Sequence, residues 1–288
     1  MAKKINSVDG VSEDKNTHGV KEYDSNNSMP EEKFEELVRK GFTILGNIFD
    51  HKDCDTAKEK IDQIYEKQIK ECGDEKYLHS IMDHNVARAL FTYDDFFLKF
   101  IKEENINKIL KVSFGDKYIL NLQNAPINKA KDAHYGSTWH RDLSYQHFVP
   151  SRPISLTVLV CLDEFTKENG GTCILPFSHK FEKFTSDEYA KKNEMKIEAK
   201  KGDVLIIDSL LFHRAGENKS EQDRKLLVQV FTLPFIKQQL NYPKILKGKY
   251  IDSQDIAYIL GYDSEVEESV IDWRKRRKKR FENKDLKR

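Results

Sequence analysis

Apolar positions along the chain show two textures, and the change falls near Gly115. Before it, they recur at helical spacing. "MPEEKFEELVRKGFTIL" opens with Pro30 at a first helical position, followed by acidic residues that complement the helix dipole. Phe34, Leu37 and Val38 make its apolar stripe. "GFTILGNIF" then reads as a short strand. A Lys- and Glu-rich helix is predicted from Asp50 to about Cys72, with Ala57, Ile61, Ile64 and Tyr65 on one face. Residues 87–113 read as helical again, with "FFLKFI" and "INKILKVSF" packing inward and Gly115 as a stop signal. After Gly115 come "YILNLQNAPI", "ISLTVLVCLDEF", "GTCILPF", "KIEAK", "DVLIIDSLLFH" and "KLLVQVFTLPF". These are short runs rich in Ile, Leu, Val, Thr and Phe, bounded by Gly, Asn, Asp, Pro or Ser, at the spacing of an all-β sandwich or barrel. Helices first and strands later predict an α+β chain, with the helices packed on one side of a β core.

The ends read differently from residues 30–240, which are expected to form the domain. Residues 1–29 are polar, lack the apolar segment of a secretory signal, and are expected to be disordered. Residues 241–288 read as a helical extension with a basic tail. No apolar run approaches the ~20 residues that span a bilayer. The four cysteines show no C-x-x-C pairing and read as reduced thiols of a cytoplasmic protein. Net charge is +1, yet "RKRRKKR" (274–280) alone supplies seven positive charges, so the rest of the chain carries −6. That tail is expected either to be a solvated helix paired with Asp263, Glu265, Glu267 and Glu268, or to touch the inner face of an anionic membrane peripherally. No specific nucleic-acid partner is predicted. Gly170 and Gly171 read as a turn, since neither a P-loop nor a dinucleotide fingerprint is present.

Candidate chemistry centres on "TWHRDLSYQHF" (138–148), which holds His140 and Asp142 two apart. A chain with nine His supplies about one His-x-Asp pair by chance, and a second one, His51 and Asp53, does occur. That second pair falls at a helix start, where side chains two apart do not face each other. On a strand they do, so His140 and Asp142 are expected on one face, with Trp139 and Arg141 on the other. A second His would complete a 2-His-1-carboxylate set, the signature of non-haem Fe(II) oxygenases. His213 is the candidate, at the end of the apolar strand "DVLIIDSLLFH". If the next strand, headed by Arg224, forms a hairpin with it, His213 and Arg224 lie opposite each other. An Arg there would grip a carboxylate bidentately.

On these residues the stretch from about Phe42 to Phe235 resembles the phytanoyl-CoA dioxygenase family. The similarity rests on "GFTIL", "WHRD", "LDEFTKENGGTCILPFSH", "GDVLIIDSLLFHRAGEN" and "DRKLLVQVF". It implies a double-stranded β-helix, a cupin-like jelly roll, and an enzyme dependent on Fe(II), 2-oxoglutarate and O2. His140, Asp142 and His213 match the family's iron ligands. Arg224 matches the residue for the distal carboxylate of 2-oxoglutarate. Gln123 and Thr157 match positions near the cosubstrate. The chain departs from the family at Phe177, where "PGSH" becomes "PFSH", and at Val158–Val160, where a Trp is common.

The activity so implied is hydroxylation of an unactivated C–H in a small metabolite, lipid or glycan-type substrate, with release of succinate and CO2. Halogenation is disfavoured, because related halogenases replace the carboxylate ligand and Asp142 is present. The alternative is a non-catalytic jelly-roll binding protein, whose cheapest signature would be a lost ligand. Of the remaining candidates, His179 reads as a loop-packing residue. Lys129, Lys131 and His134 are weighed as the lining of a substrate mouth, with a solvated loop the plainer reading. Tyr145 and His147 are possible substrate contacts.

Overall fold

The computed structural model describes residues 28–131, 135–143, 148–253 and 255–285. The first helix begins where the sequence supplies a cap: the Glu31 carboxylate accepts from the Ser28 backbone N–H at 2.9 Å. It ends at Gly41, whose φ of +89° suits a residue without a side chain. The elements then run α1 (Met29–Lys40), β1 (Phe42–Leu45), α2 (His51–Cys72), α3 (Glu75–Ser80), β2 (Val86–Arg88), α4 (Leu98–Ile101), α5 (Glu104–Phe114) and β3 (Ile119–Asn128). They continue with β4 (Ser155–Cys161), β5 (Cys173–Ile174), α6 (Asp187–Asn193), β6 (Met195–Lys196), β7 (Val204–Asp208), β8 (His213–Arg214), β9 (Arg224–Thr232), α7 (Tyr242–Leu246) and α8 (Val270–Asp285). Among these, no helix is long and apolar enough to cross a membrane.

Six strands form an antiparallel sheet in the order β1-β7-β4-β9-β3-β2, and three more form β6-β5-β8. The alternation of side chains along each strand sorts the apolar residues into two cores. Val158, Val160, Val204, Ile206, Leu227 and Phe231 face the helices and share their core with Leu37, Ile61, Phe97, Ile106 and Leu110. Their strand neighbours Leu159, Cys161, Leu205, Ile207 and Leu226 face the other way, onto Phe165, Ile174 and Ile197. The result is a mixed helix and antiparallel-sheet fold, with the second core lying between the two sheets.

Two expectations need correction. Residues 87–113 are not one helix: β2 adds an edge strand, two 3-10 turns follow, and only α4 and α5 are α-helical. Ala89 turns the chain at φ +50°, while Gln68 hydrogen-bonds the backbone of Arg88 at both its N–H and its carbonyl. The long apolar run before His213 is also interrupted. β7 stops at Asp208, whose carboxylate accepts from the Leu210 N–H at 2.9 Å, and the chain turns into the small sheet. The segment after residue 240 packs against the helices. Tyr242, Ile256 and Leu260 are fully buried among the helices, and the Leu120 N–H donates to the Ile259 carbonyl at 2.7 Å. Residues 1–27, where disorder is expected, lie outside the described residues.

His179 packs structurally, as its sequence position suggests. Its Nε2–H donates to the Val38 carbonyl at 3.0 Å, while Nδ1 is buried without a partner. A Cβ on Gly41 would lie 2.6 Å from that Nδ1, so both positions are sterically committed. Burial lowers the His179 pKa from 6.5 to about 4. Between those values the unfolded chain binds a proton that the folded chain refuses, so stability is full above about pH 6.5 and falls as pH drops towards 4. The melting temperature is expected to decline across this window, and to decline less in His179→Gln, which keeps an amide donor for Val38. Parallel declines in the two proteins would assign the pH dependence to other groups.

Phe177 adopts the left-handed region (φ +68°) with its ring more than half exposed. An L-residue there costs about 1–2 kcal/mol, which a glycine avoids at some entropic cost. Phe177→Gly is therefore expected to stabilise the fold by roughly 0.5–1 kcal/mol. A melting temperature unchanged or lowered would show that the ring's contacts outweigh the strain.

Candidate metal centre and its cavity

His140 and His213 are held together by their own backbones. The His140 N–H donates to the His213 carbonyl at 3.0 Å, and the His213 N–H returns the bond at 3.1 Å. Two residues on, the Asp142 N–H donates to the Ser209 carbonyl at 3.0 Å. This strand-like passage turns His140 and Asp142 inward. It turns Trp139 and Arg141 the other way: the Arg214 guanidinium lies 5.2 Å from the Trp139 ring, and that of Arg141 lies 4.0 Å from Phe212.

The imidazole tautomers follow from their partners. His140 Nδ1 faces the Thr138 carbonyl at 2.8 Å, and His213 Nδ1 faces the Leu211 carbonyl at 2.9 Å. A carbonyl only accepts, so both Nδ1 atoms carry the proton and both Nε2 atoms are left for the site. They lie 3.9 Å (His140) and 3.4 Å (His213) from Asp142 Oδ1. One ligand atom from each of the three residues lies within 4.8 Å of the others, a set that could hold a metal ion.

Electrostatics favour the ligand forms of Asp142 and His140, an ionised carboxylate and a neutral imidazole, and hold the proton more tightly on His213. Burial alone would raise the Asp142 pKa, but His213, His140 and the Thr157 hydroxyl overcome it and bring it to about 2. Burial and the charge of His213 push His140 down. His213 moves up despite burial, because it sits closer to the shared carboxylate. Thr157 donates to Asp142 Oδ2, which commits its only hydroxyl proton. The neighbouring hydroxyls must then run one way, Ser155 to Ser209 at 2.7 Å and Ser209 to Thr157 at 2.9 Å.

Arg224 lies in the same cavity, but not as a hairpin partner of His213. It heads β9 opposite Asn128 in the large sheet, while His213 belongs to the small one, so the two reach the cavity from different sheets. Its side chain is 1% exposed, stacks 4.6 Å from Phe165 and donates from Nε to the Asn169 carbonyl at 3.2 Å. Nη1 is buried with no partner, and among the described residues no carboxylate lies in salt-bridge range. Burial lowers its pKa to about 10, so it stays charged at neutral pH.

The backbone around Arg224 is tightly crossed. A Cβ on Gly170 (φ +76°) would lie 2.4 Å from the Gly216 carbonyl, and the Asn128 amide donates to that same carbonyl at 3.0 Å. The sequence shows Gly170 only as a turn. The repeated pairing of Asn with Gly in "ENGG" and "AGEN" was the available signal.

Gln123 does not reach the cavity. Its register partner is Gln229, and both face the helices. Gln123 accepts from the Phe91 N–H and donates to the Phe97 carbonyl, both at 3.0 Å, so it fastens the 3-10 turns to the sheet. Its strand neighbours Leu122 and Asn124 line the cavity instead. Lys129 and Lys131 are engaged by Asp223 (2.8 Å) and Glu221 (2.5 Å). His134, Tyr145 and His147 lie outside the described residues.

The cavity itself, about 160 Å³, contains His140, Asp142, His213, Thr157 and Arg224 in its lining. A larger open groove of about 1030 Å³ lies elsewhere, beside α8. Two imidazoles and one carboxylate with open space before them are the donor set of a non-haem Fe(II) oxygenase, and a buried, unpaired guanidinium suits a carboxylate ligand.

Comparison with known proteins agrees with that class. The phytanoyl-CoA dioxygenase (PhyH) family matches residues 37–226, and the chain belongs to this family. It is a 2-oxoglutarate-dependent dioxygenase, using Fe(II), 2-oxoglutarate and O2. An uncharacterised protein of Mycobacterium tuberculosis is 24% identical over 84% of this chain and 90% of its own length. The human peroxisomal phytanoyl-CoA dioxygenase is 22% identical over 70% of this chain and 68% of its own. In fold, the chain is similar to a non-haem monooxygenase, the ThoJ–nickel complex, with a TM-score of 0.55 and 16% identity, covering 72% of this chain and 79% of that one. It is likewise similar to the epimerase SnoN in complex with Fe3+, alpha-ketoglutarate and nogalamycin RO, with a TM-score of 0.54 and 14% identity, covering 71% and 84%.

Proposed function

We propose that His140, Asp142 and His213 hold Fe(II), and that Arg224 anchors the distal carboxylate of 2-oxoglutarate. The protein then hydroxylates an unactivated C–H of a small metabolite, lipid or glycan-type substrate, with succinate and CO2 released. We read its two sheets as a double-stranded β-helix. The observation that carries this is the pairing, in one cavity, of the His–Asp–His set with a buried guanidinium whose Nη1 has no partner.

When bound, Fe(II) supplies the reduction of O2 that is coupled to decarboxylation of 2-oxoglutarate. The chain's own residues do the rest. The Thr138 and Leu211 carbonyls lock both imidazoles with Nε2 inward, and the hydroxyl relay ending at Thr157 orients Asp142. Leu226 and Val228 lie between Arg224 and the Val230–Thr157 rung on the same strand face, an apolar bed for the methylenes of the cosubstrate.

Three further polar residues of the cavity are engaged within the protein. Arg88 pairs with Asp83, Arg214 with Glu194, and the Asn124 side-chain oxygen accepts from the Ala89 N–H. What faces a substrate on the β3 side is thus Leu122 and Pro126, which suits an aliphatic C–H. Purified protein given Fe(II), ascorbate and 2-oxoglutarate is expected to bind one Fe(II) per chain and to form succinate slowly without substrate. Absence of 2-oxoglutarate binding, together with no turnover on cell extract, would overturn the reading in favour of a non-catalytic binding protein.

A further inference from the structure

Helix α8 carries more positive charge than the protein neutralises. Arg276 is spent on the body: it reaches Glu267 at 2.8 Å, Asp263 at 3.4 Å, and the carbonyls of Tyr262 and Glu265 at 3.2 Å each. That clamp sets the helix against the acidic run upstream. Among the described residues, Lys275 and Lys278 meet only acids of their own helix, Asp272 at 3.3 Å and Glu282 at 3.7 Å. Arg274, Arg277 and Lys279 are exposed, with no carboxylate in salt-bridge range among the described residues.

The same segment leaves large apolar groups in water. Val266, Val270, Ile271, Trp273 and Phe281 are each more than half exposed. Val270, Trp273, Arg277 and Phe281 follow one another on one helix face. The Arg277 guanidinium lies 5.4 Å from both the Trp273 and Phe281 rings. These three residues line the groove of about 1030 Å³ between α8 and the body, together with Pro234, Tyr258 and Lys117. A cluster of basic residues beside exposed aromatic rings suits a segment held at an anionic bilayer surface chiefly by charge.

We propose that α8 docks the protein on an anionic lipid bilayer, with Arg274, Arg277 and Lys279 among the headgroups and Trp273 and Phe281 seated at their level. A nucleic acid would use the charge, but it gives no account of five exposed apolar residues in the same stretch. The proposal does not depend on the oxygenase reading, because α8 contributes nothing to the metal cavity.

The test is co-sedimentation of the full chain with vesicles of phosphatidylcholine and phosphatidylglycerol, against phosphatidylcholine alone, at low and physiological salt. Binding is expected only to the anionic vesicles and should weaken with salt. Each basic residue at such a surface contributes about five-fold, so the combined Arg274→Glu, Arg277→Glu, Lys279→Glu variant should bind roughly 100-fold more weakly or worse. Its melting temperature should match the wild type, since these side chains pack on nothing buried. Trp139→Phe leaves Trp273 as the single tryptophan, and its emission should shift to the blue on anionic vesicles. Equal binding to neutral vesicles, no binding at all, or an unshifted Trp273 emission would overturn the proposal. So would salt-sensitive retention of a random oligonucleotide without vesicle binding.

Discussion

Arg224→Met is expected to weaken 2-oxoglutarate binding severely while leaving the fold as stable as before, or more so. The two halves of that expectation share one cause. A guanidinium 1% exposed has lost its hydration, and within the protein it recovers one hydrogen bond at 3.2 Å and a stacking contact with Phe165. Nη1 recovers nothing. Replacing a buried, poorly paired charge by an apolar residue of similar volume is commonly neutral or stabilising. The charge is useful only when a carboxylate fills the cavity. Hydrogen bonds between charged groups are worth about 1.5–3 kcal/mol each, so losing a bidentate pair should raise the 2-oxoglutarate KM by roughly 100-fold or more. Arg224→Lys should fall between, because an ammonium keeps the charge but not the fork. Thermal melting with and without 2-oxoglutarate reads both halves at once: the ligand stabilises the wild type by mass action and should leave Arg224→Met unmoved. A variant that melts well below the wild type and still responds to 2-oxoglutarate would mean that Arg224 is a structural residue.

What could be read from the sequence was what repeats or alternates locally. α1 and α2 have clear apolar stripes and start signals, and they fall within a residue or so of where the sequence places them. Most of the strand series was legible for the same reason. The His–Asp–His set could be proposed because two of its members share a strand face, so only one ligand had to come from elsewhere. Failures came where long-range partners decide. The continuous apolarity of "DVLIIDSLLFH" conceals a change of sheet that depends on Asp208 capping its own turn and on Ser178 accepting from the Phe212 N–H at 2.9 Å. Gln123 was misjudged through parity. It and Gln229 occupy the helix-facing positions of β3 and β9, a fact set by register and invisible in either strand alone. The segment at 87–97 has helical composition, yet β2 is captured by the edge of β3, which no local propensity reports.

Asp142→Ala is expected to remove both Fe(II) binding and succinate formation, and its neighbour Thr157 supplies the scale. Thr157 touches the carboxylate, not the ligand position itself, and its hydroxyl is the end of a chain that begins at Ser155. Loss of such an outer partner typically costs about 10–100-fold in metal affinity, which is the range expected for Thr157→Val. Asp142 is the only anionic member of the set, and it is held ionised by the two imidazoles and the Thr157 hydroxyl even though burial opposes it. Removing it takes away a ligand and the negative charge of the set, so the loss should exceed the Thr157 range. His213→Ala should behave similarly, since His213 is the most buried of the three and reaches Asp142 at 3.4 Å. Metal content after dialysis and succinate yield should fall together in both ligand variants, in the order Thr157→Val, then His213→Ala and Asp142→Ala. Full iron occupancy in Asp142→Ala would sink the ligand assignment. Full occupancy without turnover in Thr157→Val would move Thr157 from holding the carboxylate to contacting the cosubstrate.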